Sequence, residues 1–107
     1  MNLIIGSHVS YNNKSQLLGS VKEALSYKAN TFMFYTGAPQ NTNRSVIEDS
    51  LTMEAYKLMK ENNIALEKVI VHAPYIVNLA NFNNFDFSVS FLINEVERCS
   101  TLGIKYL

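Results

Sequence analysis

The chain has 107 residues, of which 48% are hydrophobic and 17% are charged, so a packed globular domain is expected and a disordered segment is excluded. Nine basic residues balance nine acidic ones, and this neutrality gives no support for nucleic-acid binding through bulk charge. The one cysteine, Cys99, excludes an internal disulfide, and the lack of a signal-peptide pattern or a long apolar run favours a cytoplasmic protein.

Three short segments rich in apolar and β-branched residues predict strands: residues 3–9, 31–36 and 68–72. Their almost continuous hydrophobicity is typical of parallel strands that are buried on both faces, and the aromatic run 31–35 is assigned to the core. A fourth strand is predicted to begin at Ile104.

Apolar residues at spacings of three and four predict helices between these strands, over residues 15–28, 52–62 and 88–102. Ser15 is the predicted N-cap of the first helix, and residues 45–48 fit a capping box ahead of the second. Gly103 lies where the third helix should end. The third helix is expected to pack through one stripe, made of Leu92, Ile93, Val96, Cys99 and Leu102.

Alternation of strands and helices predicts a parallel sheet with right-handed crossovers, in either an open doubly wound sheet or a (β/α)8 barrel. The segment after the first strand, residues 6–10, lacks the spacing of a glycine-rich phosphate loop, so a dinucleotide site is disfavoured. A barrel usually needs about 250 residues, so this chain would be rather under half of one.

Polar residues follow each predicted strand. His8 ends the first strand, the loop containing Gln40 and Asn41 follows the second, and His72 ends the third. Because the carboxyl ends of parallel strands meet at one rim, the only two histidines of the chain are expected to lie together there. Neutral imidazole is a common metal ligand, but zinc needs three or four protein ligands, so two histidines alone do not form a site.

The segment after His72 carries an aromatic and an aliphatic residue on a stiff turn. Pro74 fixes its own φ and restricts the residue before it, which holds Tyr75 and Ile76 just beyond the histidine. Two interpretations remain open: a loop that packs back on the rim, or an apolar wedge that enters a DNA duplex between stacked bases.

With these residues in place, the chain resembles the endonuclease IV family of apurinic/apyrimidinic endonucleases. The matching segments occur in the family's order and spacing: residues 6–10, 34–42, 71–80 and 95–103. The resemblance implies that residues 1–107 are the N-terminal segment of a single TIM-barrel domain, about three and a half βα units truncated in the fourth strand. It also implies a DNA-repair nuclease of the deoxyribonuclease IV (phage-T4-induced) type, monomeric as a full-length protein.

The resemblance further implies a cofactor and a substrate. Three zinc ions lie at the barrel mouth of the family, and the substrate is double-stranded DNA with an abasic site, cut 5′ to the lesion to leave a 3′-hydroxyl. His72 matches the first metal ligand, and His8 matches a pocket histidine that supports the site or faces the phosphate. By itself the segment is expected to be inactive, since the remaining ligands would lie after residue 107.

Three further positions follow from the resemblance. Tyr75 and Ile76 match the pair that inserts into DNA at the lesion, and Gln40 and Asn41 lie in the loop that probes the damaged duplex. Some members carry an arginine in that loop, and Arg44 stands a few positions away from the place of that arginine. The alternatives are a metal-dependent sugar isomerase of the xylose-isomerase-like superfamily, a non-enzymatic α/β binding module, and a regulatory or decoy fragment.

Overall fold

The structure is a computed structural model that describes residues 3–78, 80, 83 and 85–107. Its elements in chain order are β1 Gly6–His8, α1 Gln16–Ser26, β2 Thr31–Phe34, α2 Asp49–Glu61, a 3-10 helix Leu66–Lys68, β3 Ile70–Val71 and α3 Phe85–Leu102. The predicted alternation of strands and helices is therefore confirmed.

The three strands form one parallel sheet in the order β1-β2-β3. Tyr106 extends this sheet beyond β3, because it forms a parallel bridge with Ile70 and its carbonyl accepts a hydrogen bond from the Val71 amide at 2.9 Å. The chain after α3 thus takes the place of a fourth strand, as the apolar segment from Ile104 predicted.

The strands are shorter than predicted, most clearly at β1. Residues 3–5 were expected to be in the strand, but they are exposed and bind the Asn30 side chain in place of a neighbouring strand. The Asn30 amide nitrogen donates to the Leu3 carbonyl and its oxygen accepts from the Ile5 amide, both at 2.8 Å. β3 is likewise preceded by a 3-10 helix that includes Lys68, which was predicted to be extended, whereas Val69 has extended backbone as predicted.

The hydrophobic core lies between one face of the sheet and the helices. Phe32, Phe34 and Val71 point to this side and are almost completely buried. They are joined by apolar residues of all three helices, among them Leu17, Val21, Ala55, Met59, Cys99 and Leu102. The burial of Cys99 confirms its predicted role as a small apolar core residue.

The opposite face of the sheet is open. Ile70 is 45% exposed and Tyr106 is 56% exposed, and Ile70 alternates with the buried residues Val69 and Val71 in the period of two that strands impose. The prediction that the strands are buried on both faces is therefore wrong for this chain, because no layer of the described residues covers the second face.

The helix ends differ in how well their capping was predicted. Ser15 is the N-cap of α1, but its hydroxyl donates to Asn12 Oδ1 at 2.9 Å and does not cap the helix. The capping box of residues 45–48 does not form either, because Glu48 is the N-cap of α2 without a side-chain cap and the Ser45 hydroxyl is buried without a partner. No described helix is both long and apolar enough to cross a membrane.

The buried face of α3 is not the predicted apolar stripe. Cys99 and Leu102 are buried as expected, whereas Ile93 and Val96 are more than half exposed. The polar residues Glu95 and Arg98 take the buried positions in their place, because both bind the segment that follows β2.

Candidate active site at the carboxyl ends of the strands

Three rings meet at the carboxyl ends of β1, β2 and β3. The ring centroids of His8 and Tyr35 are 4.8 Å apart, those of Tyr35 and His72 are 4.7 Å apart, and those of the two histidines are 6.1 Å apart. The register of the sheet causes this, because His8 pairs with Met33, and Tyr35 and His72 each stand two residues beyond the paired residues Met33 and Ile70. The predicted convergence of the histidines at one rim is confirmed.

The proton position on His72 is set by a hydrogen bond. Its Nδ1 lies 2.6 Å from the Ala73 carbonyl oxygen. A carbonyl oxygen only accepts, so Nδ1 carries the proton and the neutral ring keeps the lone pair of Nε2. Metal-binding histidines commonly have this arrangement, in which one ring nitrogen is held by an acceptor and the other binds the ion.

The described residues do not by themselves complete a metal site. No group of three or more histidine, cysteine, aspartate or glutamate side chains in that part of the chain lies close enough together to hold an ion. Cys99 lies in the hydrophobic core, only 4% exposed, where burial raises the pKa of its thiol to about 11. The two imidazoles fit zinc chemically, but they supply at most part of its usual ligand set.

A cavity of about 670 Å³ is lined by two of these rings, those of His8 and Tyr35, and opens between the loops that follow β1 and β2. Asn41 lies in its wall, whereas the neighbouring Gln40 is exposed outside it. Tyr11 also lines the cavity and stacks on Phe34, with ring centroids 5.5 Å apart. Burial raises the pKa of Tyr11, and its hydroxyl group is buried without a hydrogen-bond partner among the described residues.

The turn after His72 presents one aromatic side chain to solvent. Pro74 is fully buried, Tyr75 is 65% exposed and Ile76 is half-buried. The Val77 amide donates to the Pro74 carbonyl at 3.0 Å, which closes the turn. Of the two interpretations that the sequence left open, the exposed Tyr75 ring favours a side chain that is free to contact a partner.

Tyr35 is a site residue that the sequence analysis missed, since it was assigned to the core with its aromatic neighbours. The alternation of β2 could have identified it, because Phe32 and Phe34 point to the helices and Tyr35 therefore points away from them.

A buried polar network behind the loop was also missed. Glu95 is completely buried and accepts hydrogen bonds from the Thr36 hydroxyl at 2.5 Å and from Arg44 Nε at 2.7 Å. Arg98 donates to the Thr36 hydroxyl at 3.0 Å, to the Thr36 carbonyl at 2.8 Å and to the Ser45 carbonyl at 2.7 Å. Arg44 is thus an internal residue, with a side chain only 5% exposed.

Comparison with known proteins agrees with this description. No protein-family model matches the chain. The chain is 50% identical to the "Probable endonuclease 4" of Mesoplasma florum over 97% of its own length. Against proteins of the same name from Halalkalibacterium halodurans and Bacillus subtilis, the identity is 55% and 52% over 96% and 98% of the chain. The chain spans between 35% and 38% of the length of these relatives.

Among solved structures, the chain matches the crystal structure of endonuclease IV from Thermus thermophilus with a TM-score of 0.79 and 25% identity. The match covers 95% of this chain and 38% of that one. The fold and its rim therefore define the amino-terminal part of a (β/α)8 TIM barrel, as predicted. The resemblance to the endonuclease IV family is confirmed over nearly the whole chain.

Proposed function

We propose that this chain is the N-terminal segment of a single-domain, zinc-dependent DNA-repair endonuclease that acts at abasic sites in double-stranded DNA. The identity of 50–55% to proteins named "Probable endonuclease 4", over nearly all of the chain, carries the proposal. The polar rim of His8, Tyr35 and His72 supports it, because barrel enzymes build their active sites at this end of the strands.

In this proposal His72 is a zinc ligand through Nε2, and His8 supports the site or faces the phosphate. Bound zinc would lower the pKa of a coordinated water towards about 7 and neutralise charge on the reacting phosphate. The Ala73 carbonyl holds the His72 ring in the tautomer that leaves Nε2 free to bind. The other ligands of the three-zinc cluster would come from outside residues 1–107.

Recognition of the lesion is assigned to two loops. Tyr75 and Ile76 would enter the duplex at the lesion, where extrusion of an abasic nucleotide costs less than the few kcal/mol needed for a paired and stacked one. Gln40 and Asn41 would contact the damaged strand beside the cavity. Residues 1–107 have no net charge, so within this segment recognition would rest on deformation and specific contacts, and any bulk electrostatic attraction would come from outside it.

The proposed reaction is hydrolysis of the phosphodiester 5′ to the abasic site, which leaves a 3′-hydroxyl. We propose that the enzyme works as a cytoplasmic monomer.

The experiment uses the whole protein that contains this segment, called the complete protein below. It is incubated with a labelled duplex carrying one abasic-site analogue, and with the same duplex undamaged as the control.

We expect incision of the damaged duplex only, loss of incision in a strong chelator, and recovery when zinc is returned. Extension of the product by a DNA polymerase would identify the 3′-hydroxyl. Equal cutting of both duplexes, or no cutting of either with zinc present, would overturn the proposal. Preferential binding of a sugar phosphate would instead favour the isomerase.

A further inference from the structure

We propose that Glu95 is a positioning residue for lesion recognition, acting with Arg44 and Arg98 on the loop of residues 37–45, which we call the β2 loop. The loop carries Gln40 and Asn41, so the inference rests on the proposed function. None of the three network residues contacts the rim of His8 and His72; they act through the loop's shape.

Arg44 folds the β2 loop around its own guanidinium group. Its Nη1 donates to three loop carbonyls: those of Ala38 and Asn41 at 3.2 Å, and that of Asn43 at 2.7 Å. The guanidinium carbon also lies 4.9 Å from the centroid of the Phe91 ring, on α3. The loop backbone is thus wrapped on a side chain whose other contacts are on α3.

Glu95 fixes where that guanidinium lies. Its carboxylate is completely buried and binds Arg44 Nε at 2.7 Å, while its second oxygen binds Thr36 at the start of the loop. Arg98 holds both ends of the same segment, since it donates to the carbonyls of Thr36 and Ser45. One turn of α3 therefore fixes the two ends and the middle of the β2 loop.

The network specifies the geometry of the β2 loop. Only Arg44 pairs with the Glu95 carboxylate, the Arg98 guanidinium binds Thr36 and Ser45, and Arg44 Nη2 is buried without a partner. An apolar contact of the same volume would avoid the cost of burying these charges. A planar guanidinium, however, directs several donors at once to fixed carbonyl positions. Gly37 shows how closely the loop fits, because a Cβ there would lie 2.6 Å from Arg44 Cδ.

The test uses Glu95→Gln in the complete protein, with Glu97→Gln as the matched control, since the latter makes the same chemical change at an exposed position of α3. A nitroxide spin label on Thr42→Cys reports the mobility of the β2 loop, and one on Lys22→Cys reports α1; both positions are exposed, whereas Cys99 is buried. Affinity is measured for abasic and undamaged duplexes.

For Glu95→Gln we expect a severalfold shorter rotational correlation time at position 42 and no change at position 22. Affinity for the abasic duplex should fall about tenfold while affinity for undamaged duplex and zinc content stay unchanged. Glu97→Gln should behave as the unmodified protein. A purely structural role would lower stability without changing the preference for the lesion.

Unchanged mobility at position 42, or a mobile loop with full preference for the abasic duplex, would overturn the inference. Arg44→Lys provides a second test should Glu95→Gln fail to fold, because it keeps the positive charge and removes the planar guanidinium group. This change should also increase the mobility of the β2 loop. If the unmodified protein shows no preference for abasic DNA, the proposed function fails, and the role of Glu95 in lesion recognition is overturned with it. The spin label would still show whether Glu95 anchors the β2 loop.

Discussion

The hydrogen bond from His72 Nδ1 to the Ala73 carbonyl decides which ring nitrogen can bind a metal ion. The proton is held by a backbone atom next in sequence, so the tautomer does not depend on any distant element. Tyr35 then packs between His72 and His8 and limits the tilt of both rings. The positions of the three rings are therefore set by contacts within the described residues.

Replacing His72 with alanine in the complete protein should lower zinc content and incision together. Loss of a residue that only hydrogen-bonds to a metal ligand commonly weakens metal binding about 10–100-fold. Loss of the ligand itself should weaken zinc binding at least as much. Zinc is measured by atomic absorption after dialysis. An unchanged zinc stoichiometry would contradict the assignment of His72.

Replacing Tyr75 with alanine should have the complementary effect. The ring is exposed and makes no core contact that its removal would disturb, so stability and zinc content should stay the same. Affinity for abasic duplex should weaken by about 1–3 kcal/mol, the range for loss of an aromatic stacking contact with nucleic acid. Unaltered affinity for the lesion would exclude the wedge.

Residues at strand ends could be predicted to lie at the rim, because the carboxyl ends of parallel strands all meet there and each strand can be located along the sequence. His8 and His72 were found in this way. Glu95 and Arg44 could not be, since they stand 51 residues apart and nothing local marks them as partners. Apolar spacing also favours Ile93 and Val96 as the buried stripe, so polar residues at buried positions contradict the simple pattern.

At the scale of elements, the end of α3 is the best-determined boundary. Gly103 has φ of +76°, its amide donates to the Ser100 carbonyl at 3.0 Å, and the Ile104 amide donates to the Cys99 carbonyl at 2.8 Å. This is the Schellman arrangement that glycine favours, and it turns the chain towards Tyr106 and the sheet.

Replacing Gly103 with alanine should destabilise the protein by about 1–2 kcal/mol, because an L-residue is strained in the left-handed region. The added Cβ would also lie 2.5 Å from the Tyr56 hydroxyl, which donates to the Leu102 carbonyl. Urea unfolding of the complete protein followed by circular dichroism measures the change. Ser100→Ala, at an exposed position of the same turn, should stay within about 0.5 kcal/mol; equal effects of the two changes would contradict the prediction.

The order of the elements was predictable from hydrophobic periodicity, whereas strand lengths were not. A strand lasts only as long as it has a hydrogen-bonding neighbour, and the apolar residues 3–5 bind the Asn30 side chain in place of one. Side-chain partners of this kind leave no periodic signal. The capping box of residues 45–48 failed for the same reason, because the Glu48 amide, which the Ser45 hydroxyl would cap, donates to Gln16 Oε1 at 2.9 Å.

At the scale of the whole molecule, the sheet has one covered and one open face. Ile70 and Tyr106 lie exposed on the open face, and the outer edge of β1 is not paired among the described residues. Exposed apolar residues next to an unpaired strand edge promote association between copies of a chain.

The 107-residue chain made alone should therefore self-associate and should not incise abasic DNA. Sedimentation velocity measures the first property, and the incision assay measures the second. Ile70→Thr should reduce the association without changing the helices, because it removes apolar surface at an exposed strand position. A stable monomer would contradict the interpretation of the open face as the interior of an incomplete barrel. It would favour the non-enzymatic binding module.

The contact between Thr36 and Glu95 has a consequence for synthesis on the ribosome. These residues are 59 positions apart, so the β2 loop leaves the exit tunnel long before α3 is available to bind it. Contacts between distant residues also form slowly, since the intervening chain must first be closed into a loop. The three strands β1 to β3 and the first two helices have therefore been synthesised before the segment around Arg44 can acquire its final shape.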